Sequence, residues 1–189
     1  ILMIGACALK AYKKEGALAR IVFLYELGAF ICGIIFLVYT YVPGTTITVL
    51  CKGLIMASFD WLLVLLMYYT QYYTGMFKGI VGVKIFMIAY SLLETVAFLI
   101  NTWTRWIFDI TDISDDQIIV QFAKGNVLGR LHYVFAYGIM LLLILSYLVM
   151  VKRMSRFYRF RYFAILILLL AASLLDIMTM WSDSIYDMS

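Results

Sequence analysis

The chain has 189 residues, of which 66% are hydrophobic and 14% charged, and its mean hydropathy is +1.00. A soluble domain could not carry so much apolar surface, so the composition predicts an all-α, polytopic bundle of transmembrane helices in a lipid bilayer. The net charge of +4 does not indicate a nucleic-acid partner, because the basic residues collect at the ends of apolar segments, and the sequence lacks the short alternating strands of a transmembrane barrel.

Five apolar segments are long enough to cross the roughly 30 Å hydrocarbon core of a membrane. The predicted spans are residues 21–42, 47–73, 80–100, 128–151 and 162–181. The apolar residues 1–9 are too few to span and are interpreted as the end of a preceding helix, so residues 1–189 are expected to be one transmembrane domain that opens in mid-helix. A polar, acidic stretch over residues 103–125 is predicted to connect the third and fourth spans.

Basic residues are concentrated in alternate connections, which must lie on one side of the membrane. Eleven of the fifteen Lys and Arg residues fall there: Lys10, Lys13, Lys14, Arg20, Lys78, Lys84, Lys152, Arg153, Arg156, Arg159 and Arg161. Because basic residues resist translocation, this side is predicted to be the cytoplasm. The amino end of the chain is therefore expected outside.

Charged residues also lie within the apolar segments, where an unpaired charge near a helix centre costs about 2.5–3.5 kcal/mol. They are Glu26, Lys52, Asp60, Glu94, Arg130 and Asp176. At a rise of about 1.5 Å per residue, Lys52, Glu94 and Asp176 are expected roughly 8–10 Å below the outer surface, whereas Asp60 is expected near the midplane. Arg130 and the single histidine, His132, enter from the outer end of the fourth span.

This concentration of charge is interpreted as an outward-facing polar pocket that binds a small extracellular molecule or senses protons. The predicted ligand-binding residues are Lys52, Glu94, Arg130, His132 and Asp176, and Asp60 is a candidate deep polar or proton site. In the alternative interpretation, pairs such as Lys52 with Glu94 or Arg130 with Asp176 only fix how the helices pack.

Enzyme motifs are missing from the sequence. It has no phosphate-binding Gly-rich loop, nucleophile elbow, zinc-spaced His pair or dinucleotide-binding turn. Cys7, Cys32 and Cys51 are each alone in apolar surroundings and are interpreted as packing residues. We therefore expect no catalytic residue, cofactor or metal site in the chain itself.

Three stretches resemble the amino-terminal seven-transmembrane sensor region of bacterial histidine kinases. The first is DWLLVLLMYYTQYYTG (Asp60 to Gly75), an aliphatic helix that ends in an aromatic run and a Thr-Gly. The second, FLINTWTRWIF (Phe98 to Phe108), is similar to a helix end in that family with aromatic residues just outside the membrane. The third, from Leu131 to Asp176, is similar to the family's fifth and sixth helices with their basic, Tyr-containing loop.

The resemblance implies a sensory input domain in a bacterial cytoplasmic membrane, with a seventh helix leading to a cytoplasmic histidine kinase or diguanylate cyclase, and a homodimer formed through the helices and the output domain. The chain itself would not be an enzyme.

Two alternative functions stay open. One is a small secondary transporter or permease subunit in which Asp60 and Glu94 carry coupling protons. The other is a structural membrane subunit whose charges only pair.

Overall fold

The computed structural model describes residues 1–14, 16–76, 81–114, 117–123, 126–156, 159–171 and 174. The helices are α1 (Leu2–Tyr12), α2 (Ala17–Tyr41), α3 (Thr45–Thr74), α4 (Val81–Thr104) and α5 (Val127–Arg153), and residues 159–171 are also helical. Two strands, β1 (Phe108–Ser114) and β2 (Gln117–Phe122), lie between α4 and α5.

Within the described residues, four helices, α2 to α5, are long and apolar enough to cross a membrane. Their bounds agree within a few residues with the first four predicted spans. The predicted class of fold, a helical bundle of the membrane type, is therefore confirmed. The fifth predicted span, residues 162–181, is helical as far as residue 171, and most of its remainder lies outside the described residues. The predicted end of a preceding helix corresponds to α1, which has 11 residues.

Local turn chemistry sets the limits of α3. The helix follows Pro43 and Gly44, and Gly44 has a φ of 139°, which side-chain-bearing residues rarely adopt. At the other end, Gly75 adopts the left-handed conformation with a φ of 72°, and its N–H donates to the carbonyl of Gln71 at 2.9 Å. This is the usual way in which glycine ends a helix.

Residues 1–136 form one compact unit, in which α3 packs between α2 and α4. Small residues allow these contacts: a Cβ on Gly28 would lie 3.3 Å from Leu62, and a Cβ on Gly53 would lie 3.2 Å from the backbone oxygen of Phe98. None of the residues of α2 is buried, as expected for a helix with lipid around most of its surface.

The connection between α4 and α5 is an antiparallel β-hairpin, whereas the sequence was interpreted there only as a polar stretch. Phe108 is opposite Phe122 in the register, and a bulge separates Ile110 from Asp112. The apolar residues at the base of the hairpin pack against α3 and α4. The buried members of this cluster are Val49, Ala57, Phe98, Ile107, Phe108 and Val120. The hairpin is thus part of the core of this unit.

The second unit begins at Tyr137 and contains the rest of α5 and the helical residues 159–171. Tyr147 and Tyr162 pack together in it with their ring centroids 6.3 Å apart, and both are buried. Leu166 and Leu169, one turn and two turns after Tyr162, are buried as well. This spacing places one apolar face of the helix inside the unit.

Candidate functional site

Three ionisable side chains from three helices meet inside the first unit. Asp60 belongs to α3, Glu94 to α4 and His132 to the first part of α5. The Nδ1 atom of His132 lies 3.1 Å from Oε1 of Glu94 and 3.4 Å from Oδ2 of Asp60. Both carboxylates are 0% exposed and the histidine is 4% exposed. We call Asp60, Glu94 and His132 the buried triad.

The carboxylates of the buried triad are only partly satisfied. Glu94 Oε1 accepts from the Tyr90 hydroxyl at 3.4 Å as well as facing His132. Glu94 Oε2 and both oxygens of Asp60 have no hydrogen-bond partner among the described residues, and neither does the hydroxyl of Ser91, one turn before Glu94. Buried carboxylate oxygens without partners are costly, so the triad has spare capacity to bind a proton or a cation.

Aromatic rings cover the imidazole of the buried triad. The ring centroids of Phe98 and Phe122 lie 5.8 Å and 6.1 Å from that of His132. Phe108 packs on both of these phenylalanines, at 5.4 Å from Phe98 and 4.8 Å from Phe122. We call Phe98, Phe108 and Phe122 the aromatic cover. Since Phe108 and Phe122 are the paired residues at the base of the hairpin, the hairpin closes this end of the site.

Two asparagines fix the chain around the aromatic cover. The Oδ1 atom of Asn101 accepts the backbone N–H of Ile107 at 2.8 Å and so shapes the exit from α4. The Oδ1 atom of Asn126 accepts the N–H of Leu128 at 2.8 Å and caps α5, while its Nδ2 donates to the carbonyl of Trp106 at 2.8 Å. The start of α5 is thereby tied to the end of α4, six residues before His132.

A small cavity lies along α3 and α4, away from the buried triad. A cavity of about 10 Å³ lies between α3 and α4, and it is lined by Val64, Met67, Tyr68, Gln71, Val83, Lys84 and Met87. Such a volume has room for about one water molecule. Val64 is one turn after Asp60, and Met87 is about two turns before Glu94. None of the residues of the buried triad lines this cavity, so its volume does not define what the triad binds.

The structure brings together some of the residues predicted for the ligand pocket. Glu94 and His132 are in contact, and Asp60, predicted as a separate deeper site, is their third partner. Lys52 is half-buried and lies two turns before Asp60 on α3, roughly 12 Å away along the helix axis. Arg130 is exposed. Asp176 lies outside the described residues.

Tyr90, the aromatic cover and the two asparagines belong to the site but were not among the predicted site residues. One signal was present: Tyr90, Glu94 and Phe98 are spaced four residues apart, which places them on one face of α4. The contribution of Phe108 and Phe122 depends on the hairpin, and only the folded structure reveals it.

No family model matches the chain, and neither a curated protein nor a solved structure is significantly similar to it. The resemblance to histidine kinase sensor regions therefore stays a prediction.

Proposed function

We propose that this chain is the sensory input domain of a membrane signalling protein. It detects a small extracellular solute or a proton and regulates a cytoplasmic histidine kinase or diguanylate cyclase domain, acting as a homodimer. The observation that carries the proposal is the meeting of ionisable side chains from three helices at one buried point. Because Asp60 and Glu94 share one imidazole, a change in the charge or occupancy of this point alters the contacts among α3, α4 and α5.

The electrostatic interaction at the triad is comparable in size with the free energy that a switch requires. Two unit charges 4 Å apart interact by about 4 kcal/mol at an effective dielectric constant of 20. Moving a two-state equilibrium from 1:99 to 99:1 requires about 5.5 kcal/mol of differential binding energy. Adding or removing one positive charge beside Asp60 and Glu94 therefore changes the balance between two helix packings by an amount of the required order.

The aromatic cover supports a gated site. Phe108 and Phe122 pair at the base of the hairpin and pack over His132 together with Phe98. An ion that enters from this end must displace these rings, so binding and hairpin position are coupled. In the predicted orientation this end faces the outside, which is where an extracellular signal arrives.

The test measures output in the native protein that carries this chain. Autophosphorylation and cyclic dinucleotide synthesis are assayed in membrane vesicles for wild type, Glu94→Gln and the matched control Glu26→Gln. Glu26 lies on α2 and is half-buried, outside the triad. We expect Glu94→Gln to change the basal output several-fold and Glu26→Gln to leave it within twofold. Equal output in all three proteins overturns the sensor proposal, and Lys52→Met tests the predicted pocket residue in the same assay.

Transport is the second candidate, and the unpartnered oxygens of Asp60 and Glu94 in two spanning helices favour it. Such carboxylates carry protons in many membrane carriers. Purified chain in liposomes with an internal pH dye discriminates the two functions. A proton flux that depends on Asp60 and Glu94 supports transport, whereas tight liposomes with changed signalling output in Glu94→Gln support the sensor.

A further inference from the structure

We propose that Asp60, Glu94 and His132 form a binding site for a divalent transition-metal ion, with zinc as the first candidate. The inference names a ligand for the buried triad and rests on the proposed function for its biological role. Metal binding is inferred from the geometry of the three side chains, and it is measured separately from any signalling.

The donor atoms already have the spacing of metal ligands. One ligand atom from each residue of the triad lies within 4.8 Å of the other two. Zinc binds imidazole nitrogen and carboxylate oxygen at about 2.0–2.2 Å in tetrahedral geometry, which places neighbouring ligand atoms about 3.3–3.6 Å apart. The distances from His132 Nδ1 are 3.1 Å to Glu94 Oε1 and 3.4 Å to Asp60 Oδ2. A zinc ion would need only small side-chain shifts to enter.

The unsatisfied carboxylate of Asp60 is a separate indication of an occupant. Its side chain is 0% exposed, and neither of its oxygens has a hydrogen-bond partner within the described part of the chain. Its Oδ2 nevertheless points to the same nitrogen that faces Glu94. A buried carboxylate is normally paired or coordinates a metal ion. A cation among the three donor atoms would satisfy Asp60 and Glu94 together.

One divalent ion balances the charge of the buried triad, which a single proton on the histidine does not. Two ionised carboxylates and a neutral imidazole carry a charge of −2, which one divalent cation cancels. A protonated imidazole alone would leave the three groups at −1 in a buried position, and a second proton, on one of the carboxylates, would be needed to reach neutrality. The hydroxyl of Tyr90, which donates to Glu94 Oε1, provides the kind of outer hydrogen bond that orients a ligating carboxylate.

The donor set also indicates the class of metal. Imidazole nitrogen suits zinc, iron and other first-row transition metals. Calcium instead takes six to eight oxygen ligands, and magnesium keeps several waters and binds through one or two carboxylates. Copper(I) prefers sulfur. Three protein ligands leave a fourth position of a tetrahedral zinc ion open to water. An exchangeable position of this kind suits an ion that binds reversibly.

Direct binding measurements test the site. The full 189-residue chain is purified in lipid nanodiscs, stripped with a chelator and titrated with Zn²⁺, while Co²⁺ reports the coordination geometry by its visible absorption. We expect one zinc ion per chain and the intense absorption of tetrahedral cobalt. Glu94→Gln and His132→Ala should weaken zinc binding by about 100-fold or more, beyond the 10–100-fold typical of an outer-shell change. Glu26→Gln should bind as wild type does.

A ligand substitution separates coordination from folding. His132→Cys supplies a thiolate, which zinc and cobalt also accept. We expect this variant to keep metal binding and to add a sulfur-to-cobalt charge-transfer band in the near ultraviolet. A metal that binds without this band is not bound at position 132, which overturns the assignment. Because the chain also carries the free cysteines Cys7, Cys32 and Cys51, the band is assigned to position 132 only if wild type and His132→Ala lack it under the same conditions.

The outcomes distinguish this inference from the proposed function. A wild-type chain that binds no zinc or cobalt overturns the metal site, and so does equal zinc binding by wild type, Glu94→Gln and His132→Ala. If signalling output still changes in Glu94→Gln, the sensor proposal survives with a proton as its signal. If zinc binds as expected but output is the same in wild type and Glu94→Gln, the metal site stands and the sensor proposal fails.

Discussion

Phe122 occupies the space that a side chain at position 129 would need. A Cβ on Gly129 would lie 2.7 Å from Cδ1 and 2.9 Å from Cγ of the Phe122 ring. Gly129 is in the first turn of α5, three residues before His132, and Phe122 ends strand β2. This contact therefore lets the hairpin lie against α5 and close the aromatic cover over the buried triad.

Gly129→Ala is expected to destabilise the bundle by about 1–3 kcal/mol, because Cγ is close to the backbone of Phe122 and the ring cannot simply rotate away. Thermal unfolding followed by circular dichroism in detergent measures the loss. Gly138→Ala is the matched control on the same helix, since apart from its chain neighbours and the adjacent backbone of α5 no atom of the described residues comes within 4 Å of its Cβ position. We expect this control to be neutral or stabilising by up to about 1 kcal/mol through helix propensity. Equal stability of the two variants would contradict the packing argument.

Asn101→Ala is expected to cost about 1–3 kcal/mol, because it leaves the N–H of Ile107 without its acceptor in a buried position. Unfolding by a titration with denaturing detergent gives the free energy. Thr104→Ala is the control, since the Thr104 side chain is exposed and bonds only the carbonyl of Ile100 in its own helix. A loss in Thr104→Ala as large as in Asn101→Ala would show that the hydrogen bond to Ile107 is not the cause.

The Trp61 indole donates to the hydroxyl of Thr95 at 3.0 Å and joins α3 to α4 next to the triad. A double-mutant cycle with Trp61→Phe and Thr95→Val isolates this bond. We expect a coupling energy of about 0.6 kcal/mol and no more than about 1.7 kcal/mol, the range measured for hydrogen bonds between membrane helices. A coupling of zero would mean that the bond contributes nothing beyond the packing of the two side chains.

The length and apolarity of the segments predicted the four spanning helices well, because a helix that crosses lipid must satisfy its own backbone and be apolar along its length. The hairpin was not predicted. Its strands carry Asp109 and Asp112 and are short, and its base is held by contacts with α3 and α4 that are distant in sequence. The sequence of such a connection shows only its polar composition, which does not predict a hairpin.

The residues of the site were predicted only in part. The stagger of the helices along the membrane explains why Asp60 was predicted to lie deeper than Glu94 and His132. The sequence-based depths assumed that all helices begin at one level. Asp60 lies fifteen residues, or roughly 22 Å, after Thr45 at the start of α3, whereas His132 lies only five residues, or roughly 8 Å, after Val127 at the start of α5. Their side chains meet nevertheless. The first turns of α3 therefore extend beyond the start of α5, beside the hairpin, and Asp60 is level with Glu94.

Replacing the whole triad tests whether it serves function rather than stability. His132→Leu alone leaves Asp60 and Glu94 buried without their shared imidazole, and we expect a loss of about 3–5 kcal/mol. The triple variant Asp60→Leu, Glu94→Met, His132→Leu removes every charge and keeps similar volumes. It should recover most of this loss and can exceed wild type, because well-packed apolar residues often replace a buried ionic cluster at no cost.

Thermal unfolding of the three proteins in the same nanodiscs, stripped of metal, measures this recovery, and zinc should stabilise wild type only. At a zinc concentration 100 times the dissociation constant, the gain in wild type is expected to be about 2.7 kcal/mol. If the triple variant is less stable than His132→Leu, the triad is needed for folding. The presence of its three polar side chains would then not indicate a binding site. Recovery of stability together with loss of zinc binding and of signalling output means that Asp60, Glu94 and His132 are retained for what they bind.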